Sequence, residues 1–268
     1  MLKTRIIIAA VSLLVVWLLF RLPKSVVSNE SQMAPDTAAG GVGGGTHTEP
    51  PAEVRKGIAS LRAKYQKTTE TEKSAIFADS LADRYKEAGR FDSAAWFAGE
   101  AASFFNNPES WIKAGDYYYE AYTFALDEAR QQGMAAGARE FYGKVLAVNP
   151  DNLDAKTKMA MTYLSSENPM QGITMLREVL AIDPKNREAL FNIGMLAIQS
   201  GQYDRAIERF ETLIRVDSTH VQGQLLLGVA LLNAGDKERA RMQFEKVKTM
   251  DQDPAVQAEV DSYLKDLK

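Results

Sequence analysis

The chain contains no cysteine. That absence excludes disulfides, thiolate metal sites, thiol nucleophiles and a lipid-bearing N-terminal cysteine, while leaving the redox compartment open. Only two histidines occur. His47 and His220 are far apart in sequence, so a zinc site has no second imidazole or thiolate to complete it. Asp251, Asp253 and Glu245 place carboxylates close together, but the spacing lacks the loop glycine and distal glutamate of a calcium site. Helix capping is the better use of the aspartates, and Glu208 with Glu211 reads as a solvated face. Neither charge sign is in large excess: 32 Lys and Arg against 35 Asp and Glu give a net charge of −3. No basic run is present to follow a phosphate backbone. Nucleic-acid binding is therefore disfavoured, and no catalytic residue, metal ligand or cofactor site is assigned. The reading is of a protein that is not an enzyme.

Long apolar runs are also scarce, with one at the N-terminus. Ile6 to Phe20 is interrupted only by Ser12, and as a helix it spans roughly 22 Å. This lies between the core of an export signal and a full membrane span of about 20 residues. Arg21 and Lys24 follow directly, where a cleavable signal usually has small neutral residues. With Lys3 and Arg5 they can reach outward to the headgroups. Residues 1–24 are therefore expected to form an uncleaved signal anchor, its transmembrane helix at about 6–22. Val26-Val27-Ser28 offers a cleavage site as the alternative. The basic flank at Lys3 and Arg5 predicts that the short tail stays inside and the bulk is exported. Residues 25–51 are rich in Gly, Pro, Ser and Thr and nearly free of large apolar side chains. They read as a flexible linker with a reach on the order of 30 Å. GGVGGG lacks the Lys-Ser/Thr ending of a phosphate loop.

From Ala52 onward apolar residues recur at three- and four-residue steps, the signature of amphipathic helices. A leading helix is expected over 52–67, and Thr69 with Glu72 predicts a capping box for the next helix. In Arg187–His220, Leu190, Ile193, Ala197, Phe210 and Leu213 form stripes on two helices separated at Gly201. Such a hairpin cannot bury its stripe alone, so neighbours must stack on it. Its punctuation recurs at 34 residues: Pro150 and Pro184, Gly194 and Gly228, Gly201 and Gly235, Ala206 and Ala240, Phe210 and Phe244. Asp253 and Pro254 open a final amphipathic helix over 254–267, which caps the last unit.

Trp111, Ala114, Gly115 and Tyr118, followed by an alanine, an aromatic and a proline at this period, resemble the tetratricopeptide repeat (TPR). The resemblance covers about two-thirds of the chain, with units at about 75–107, 108–152, 153–186, 187–220 and 221–254. It implies an all-α, right-handed α-solenoid over 52–268. The 153–186 unit departs at its inter-helix turn, with Glu167-Asn168-Pro169, and has Gly172 where alanine is usual. The 108–152 unit has 45 residues, eleven more than the period. Matching Gly133 to Gly201 assigns all eleven to its first helix, predicting one helix from about Glu109 to Gln132. That helix stands three turns proud and carries Tyr119, Tyr122 and Phe124. These aromatics either pack on a neighbour such as the 52–67 helix or project toward a partner.

In the family this resembles, the first helices of successive units line a concave groove that holds peptides or partner helices. Transferred by position, the groove residues are Met161 and Leu164, Phe191, Met195 and Ile198, then Leu225, Val229 and Leu232. The family's carboxylate clamp is missing, because Thr157, Met161, Gln222 and Leu226 stand where Lys, Asn, Lys and Arg are needed and only Asn192 fits. The apolar stripe is explained by a greasy groove for a protein partner, with methionines adapting to shape, or by burial in a homo-oligomer or larger complex. The layout is similar to that of bacterial membrane-anchored repeat proteins of the envelope. The expectation is a non-catalytic scaffold or assembly factor held at a membrane, its solenoid on the exported, periplasmic side.

Overall fold

The computed structural model describes residues 49–267. The expected signal anchor at 1–24 and nearly all of the 25–51 linker lie outside the described residues. Among the described residues there are twelve helices and no strand. No helix among them is long and apolar enough to cross a membrane.

The helices are α1 (Ala52–Lys67), α2 (Thr71–Glu87), α3 (Phe91–Phe105), α4 (Pro108–Phe124), α5 (Glu128–Val148) and α6 (Leu153–Leu164). They continue with α7 (Pro169–Ile182), α8 (Arg187–Gln199), α9 (Tyr203–Val216), α10 (Val221–Asn233), α11 (Lys237–Met250) and α12 (Pro254–Asp266). Each packs chiefly on its neighbours in sequence, so α2/α3, α4/α5, α6/α7, α8/α9 and α10/α11 are five stacked hairpins. At one end Tyr65 of α1 meets Phe97 edge to face, with ring centres 5.5 Å apart. At the other Tyr263 of α12 stacks on Phe244 at 4.8 Å, and Val260 and Leu267 are buried beneath it.

The hairpins close because a residue without a side chain lets a ring cross the backbone of the facing helix. A methyl group added at Gly194 would lie 2.7 Å from the Phe210 ring, and one at Gly228 would lie 2.6 Å from Phe244. Gly115 faces Tyr142 in the same way, at 2.7 Å. Tyr142, Leu176, Phe210 and Phe244 follow one another at 34-residue intervals, and all four are fully buried. Each such side chain removed from water contributes about 1.5–3 kcal/mol. In the third hairpin Leu176 replaces the ring, and Gly172 approaches the Ala160 carbonyl.

Helix ends repeat as well. Asn152 and Asn186 accept hydrogen bonds from the Ala155 and Ala189 amides, both at 3.0 Å. Gly201 and Gly235 end α8 and α10 at φ of +70° and +89°, conformations that cost an L side chain more than they cost glycine. The amides of Gln202 and Asp236 then reach back to the carbonyls of Ala197 and Leu231, satisfying the last turn. The capping box expected from Thr69 and Glu72 does not form. Helix α2 begins one residue after Glu70 with no side-chain cap, and a capping box occurs instead at Asn107 and Ser110.

The single helix expected over Glu109–Gln132 is corrected. Helix α4 stops at Phe124, and α5 starts at Glu128 with Asp127 as its cap, accepting from the Arg130 amide at 2.9 Å. Helix α4 has 17 residues against 13 in α8 and α10. Helix α5 has 21 against 14 in α9 and α11. The four and seven extra residues account for all eleven. Gly133, taken as the turn, lies inside α5. The cap here is an aspartate without a glycine, and Gly137 of α5 gives room to the Tyr118 ring. Gly115 and Tyr142 keep their crossing, so the additions sit at the hairpin tip, extending it by about one to two turns.

Gly228→Ala is expected to destabilise the stack by about 1–3 kcal/mol, because the Phe244 ring must shift. Gly143 lies within α5 and has nothing within 4 Å of an added methyl, so Gly143→Ala should stabilise by about 0.5–1 kcal/mol. Urea unfolding midpoints that move the same way in both variants would contradict this packing.

Candidate functional site: the first-helix face

The first helices of successive hairpins lie near enough to exchange side-chain bonds. Lys113 of α4 donates to Asp79 of α2 at 2.7 Å and pairs with Asp83 at 2.8 Å. The Tyr117 hydroxyl donates to Asp83 at 2.6 Å. Lys86 pairs with Glu120 at 2.7 Å and lies over the Tyr117 ring. One step along, Lys158 of α6 reaches Asp116 of α4 and Asp154 of its own helix, both at 2.8 Å. Asp116 also accepts from the buried Tyr142 hydroxyl at 2.7 Å. The Tyr122 hydroxyl donates to the Met161 carbonyl at 3.2 Å and lies 2.5 Å from Ser165 Oγ.

Six of the eight proposed groove residues fall in one cluster. Leu225 is buried within it, and Phe191, Met195, Ile198, Val229 and Leu232 pack against it half-buried. Leu164 belongs to the adjacent cluster around Ala160, Leu176, Val179 and Ala189. Met161 is half-buried on α6, three residues from Lys158. The eight are thus a six-residue body on α8 and α10 with a separate flank on α6. Phe191 is partly a core residue, meeting Phe210 edge to face at 6.2 Å. Of the aromatics on the extended hairpin, Tyr119 packs in the cluster around Tyr142. Tyr122 turns to α6, and Phe124 stacks on Phe91 at 4.4 Å while 59 % exposed. These contacts lie with α3, α5 and α6.

Two residues here escaped sequence reasoning. His220, considered from the sequence only as a metal ligand, caps α10: its Nδ1 accepts from the Gly223 amide at 3.0 Å. Its ring stacks on Phe191, with centres 5.3 Å apart. The missed clue was position, because His220 stands 34 residues after Asn186 and 68 after Asn152, both helix caps. Gln224 is fully buried, donating to the Ser218 carbonyl at 2.9 Å and accepting from Gln243. It occupies a slot held by Leu190 one period earlier, and no apolar pattern announces a satisfied buried amide.

Burial controls ionisation on this face. Tyr118 and Tyr119 are each pushed up to about 12, first by burial and then by nearby carboxylates, joined for Tyr119 by the Tyr122 hydroxyl. Tyr142 is raised further by burial and by Asp116, and Tyr117 by burial and its bond to Asp83. Lys113 and Lys158 are held above the usual lysine value by their aspartates, against the opposing effect of burial. Among the described residues no group of three or more His, Cys, Asp or Glu is placed to hold a metal ion. A hollow of about 470 Å³ lined by Gly201–Arg205 and Ala234 lies at the turns and shares no residue with the groove set.

Two sequence profiles described as tetratricopeptide repeat match the chain, over residues 129–192 and 192–254. No curated protein matches the chain. Solved structures do. A tetratricopeptide repeat protein from Parabacteroides merdae ATCC 43184 has 19% identity over 80% of this chain and 82% of its own, with a TM-score of 0.59. A MamA fragment from Desulfovibrio magneticus RS-1 has 20% identity over 67% and 97%, TM-score 0.54. YrrB, described as a TPR protein with an unusual peptide-binding site, has 17% identity over 76% and 97%, TM-score 0.50. The fold is that of tetratricopeptide solenoids.

Because the neutral tyrosines are favoured by the fold, their contribution is complete below about pH 10 and lost as pH rises through the elevated values. An alkaline titration should show Tyr117, Tyr118, Tyr119 and Tyr142 ionising late, together with loss of helical circular dichroism. Ten tyrosines ionising together near pH 10 with the helices intact would contradict this placement.

Proposed function

We propose that the chain is a non-catalytic scaffold that holds a protein partner on the first-helix face of its C-terminal hairpins. The observation that carries this reading is the single cluster in which Phe191, Met195, Ile198, Val229 and Leu232 are packed from beneath and only half covered above. A row of apolar side chains on adjacent helices matches the spacing at which a bound peptide or helix presents its own anchors. The methionine adapts to the shape of what it meets. The likeness to YrrB, a TPR protein with a peptide-binding site, supports the same use of this fold.

The same proposal gives residues 6–22 the role of membrane anchor and 25–51 that of tether, with the solenoid on the exported side. Its support is the apolar run of Ile6 to Phe20 and the basic residues on both flanks. A partner captured by this face is then held within tether reach of a bilayer, as an assembly factor requires.

Replacing Met195 and Val229 together by glutamate should reduce capture of a partner crosslinked in native membranes by at least about tenfold. The helical signal should persist, because both side chains lie at the margin of the cluster and neither is among its fully buried members. Undiminished capture would move the site elsewhere. A wild-type dimer that this pair of changes makes monomeric would put a second copy on the face. Deleting residues 6–20 should release the chain from the membrane fraction. Recovery of wild-type protein beginning near Asn29 would show that the segment is a cleaved signal.

A further inference from the structure

The charged groups on the first-helix face are unevenly distributed. Lys113 is held between Asp79 and Asp83, and Lys158 between Asp116 and Asp154. Each cluster sets one ammonium against two carboxylates and keeps one negative charge. Lys86 and Glu120 cancel. Glu188, exposed on α8, stands three residues before Phe191 and so shares its face. Helix α10 has no charged residue in its 13 positions. The face therefore passes from an acidic half over α2, α4 and α6, through Glu188 at the start of α8, where Arg187 is paired with Asp217, to an uncharged apolar half over the rest of α8 and α10.

Resting on the groove reading above, we propose that the occupant is a protein segment with an apolar body on α8 and α10 and cationic residues where it continues over α6 and α4. Lys113 and Lys158 each already meet two carboxylates and Lys86 is paired with Glu120, so an incoming anion finds spent donors among aspartates. An incoming lysine or arginine finds carboxylate lone pairs still free, because a carboxylate offers about four acceptor sites, and the side chains of Asp83 and Asp154 are 53% and 59% exposed. The same field repels phosphate-bearing surfaces, which disfavours nucleic acid and anionic lipid. A second copy docked face to face about a two-fold axis would set either its own carboxylates or its apolar half against these.

The test uses the full chain in phosphatidylcholine nanodiscs, with empty nanodiscs as the blank. Three labelled synthetic peptides share one Leu/Met/Phe-rich core and carry three lysines, three glutamines or three glutamates at each end. At about 20 mM salt the lysine peptide should bind at least about tenfold more tightly than the glutamate peptide. The difference should shrink several-fold at about 0.5 M salt, where screening is strong. Asp154→Asn with Glu188→Gln should reduce the lysine peptide's affinity at low salt several-fold more than it changes the glutamine peptide's. Equal affinity, or preference for the glutamate peptide, overturns the charge assignment and leaves the groove standing. No binding by any of the three overturns the groove reading along with it.

Discussion

Where the two helices of a hairpin cross, backbone meets ring: Gly194 with Phe210, Gly228 with Phe244, Gly115 with Tyr142. A methyl group at any of these glycines would lie well inside van der Waals contact, so the crossing distance is set by the absence of one carbon atom. The buried ring then fills the gap that the glycine leaves, at the packing density that cores require. Because the arrangement recurs at one sequence period, successive hairpins present nearly the same surface to one another. That sameness permits stacking, and it also places the first helices side by side so that their outer residues form a continuous face. The face is a consequence of the crossing.

This dependence explains what the sequence disclosed. Glycines and aromatics at 34-residue spacing are visible without coordinates, and they carry the all-helical stack of hairpins. The 108–152 unit was misread because the same residue type has two uses. Gly201 and Gly235 end helices at positive φ, whereas Gly137 makes room for Tyr118 within α5. A turn capped by Asp127 and carrying no glycine leaves only a faint mark between two apolar stretches. Had Tyr142 been aligned with Phe210, in place of Gly133 with Gly201, the eleven extra residues would have fallen at the tip.

The face was legible to a different degree. Periodicity names the residues on the first helices but is blind to how much of each side chain the layer beneath has claimed. Leu225 is sunk into the core, Phe191 is shared between core and surface, and Met195 and Val229 are half covered. Polar pairing was less visible still, since Lys113 meets Asp79 at a separation of 34 residues and Lys158 meets Asp116 at 42. Such pairs depend on neighbouring units being in contact, which no local pattern encodes.

A stack whose members touch mainly their neighbours lets each unit specialise without disturbing distant ones. The extended hairpin uses that freedom on both sides: Phe124 lies on Phe91 of α3, and Tyr122 bonds to Met161 and Ser165 of α6 and its turn. It thereby joins the first hairpin to the third more firmly than the repeat pattern alone would. Ion pairs of the Lys113 kind, only partly withdrawn from water, contribute little to stability, about 0–1 kcal/mol, so their effect on the fold is small. Their effect on the field over the face is not, because each leaves a carboxylate in excess. The residues that matter least to folding are therefore those that most distinguish one half of this face from the other.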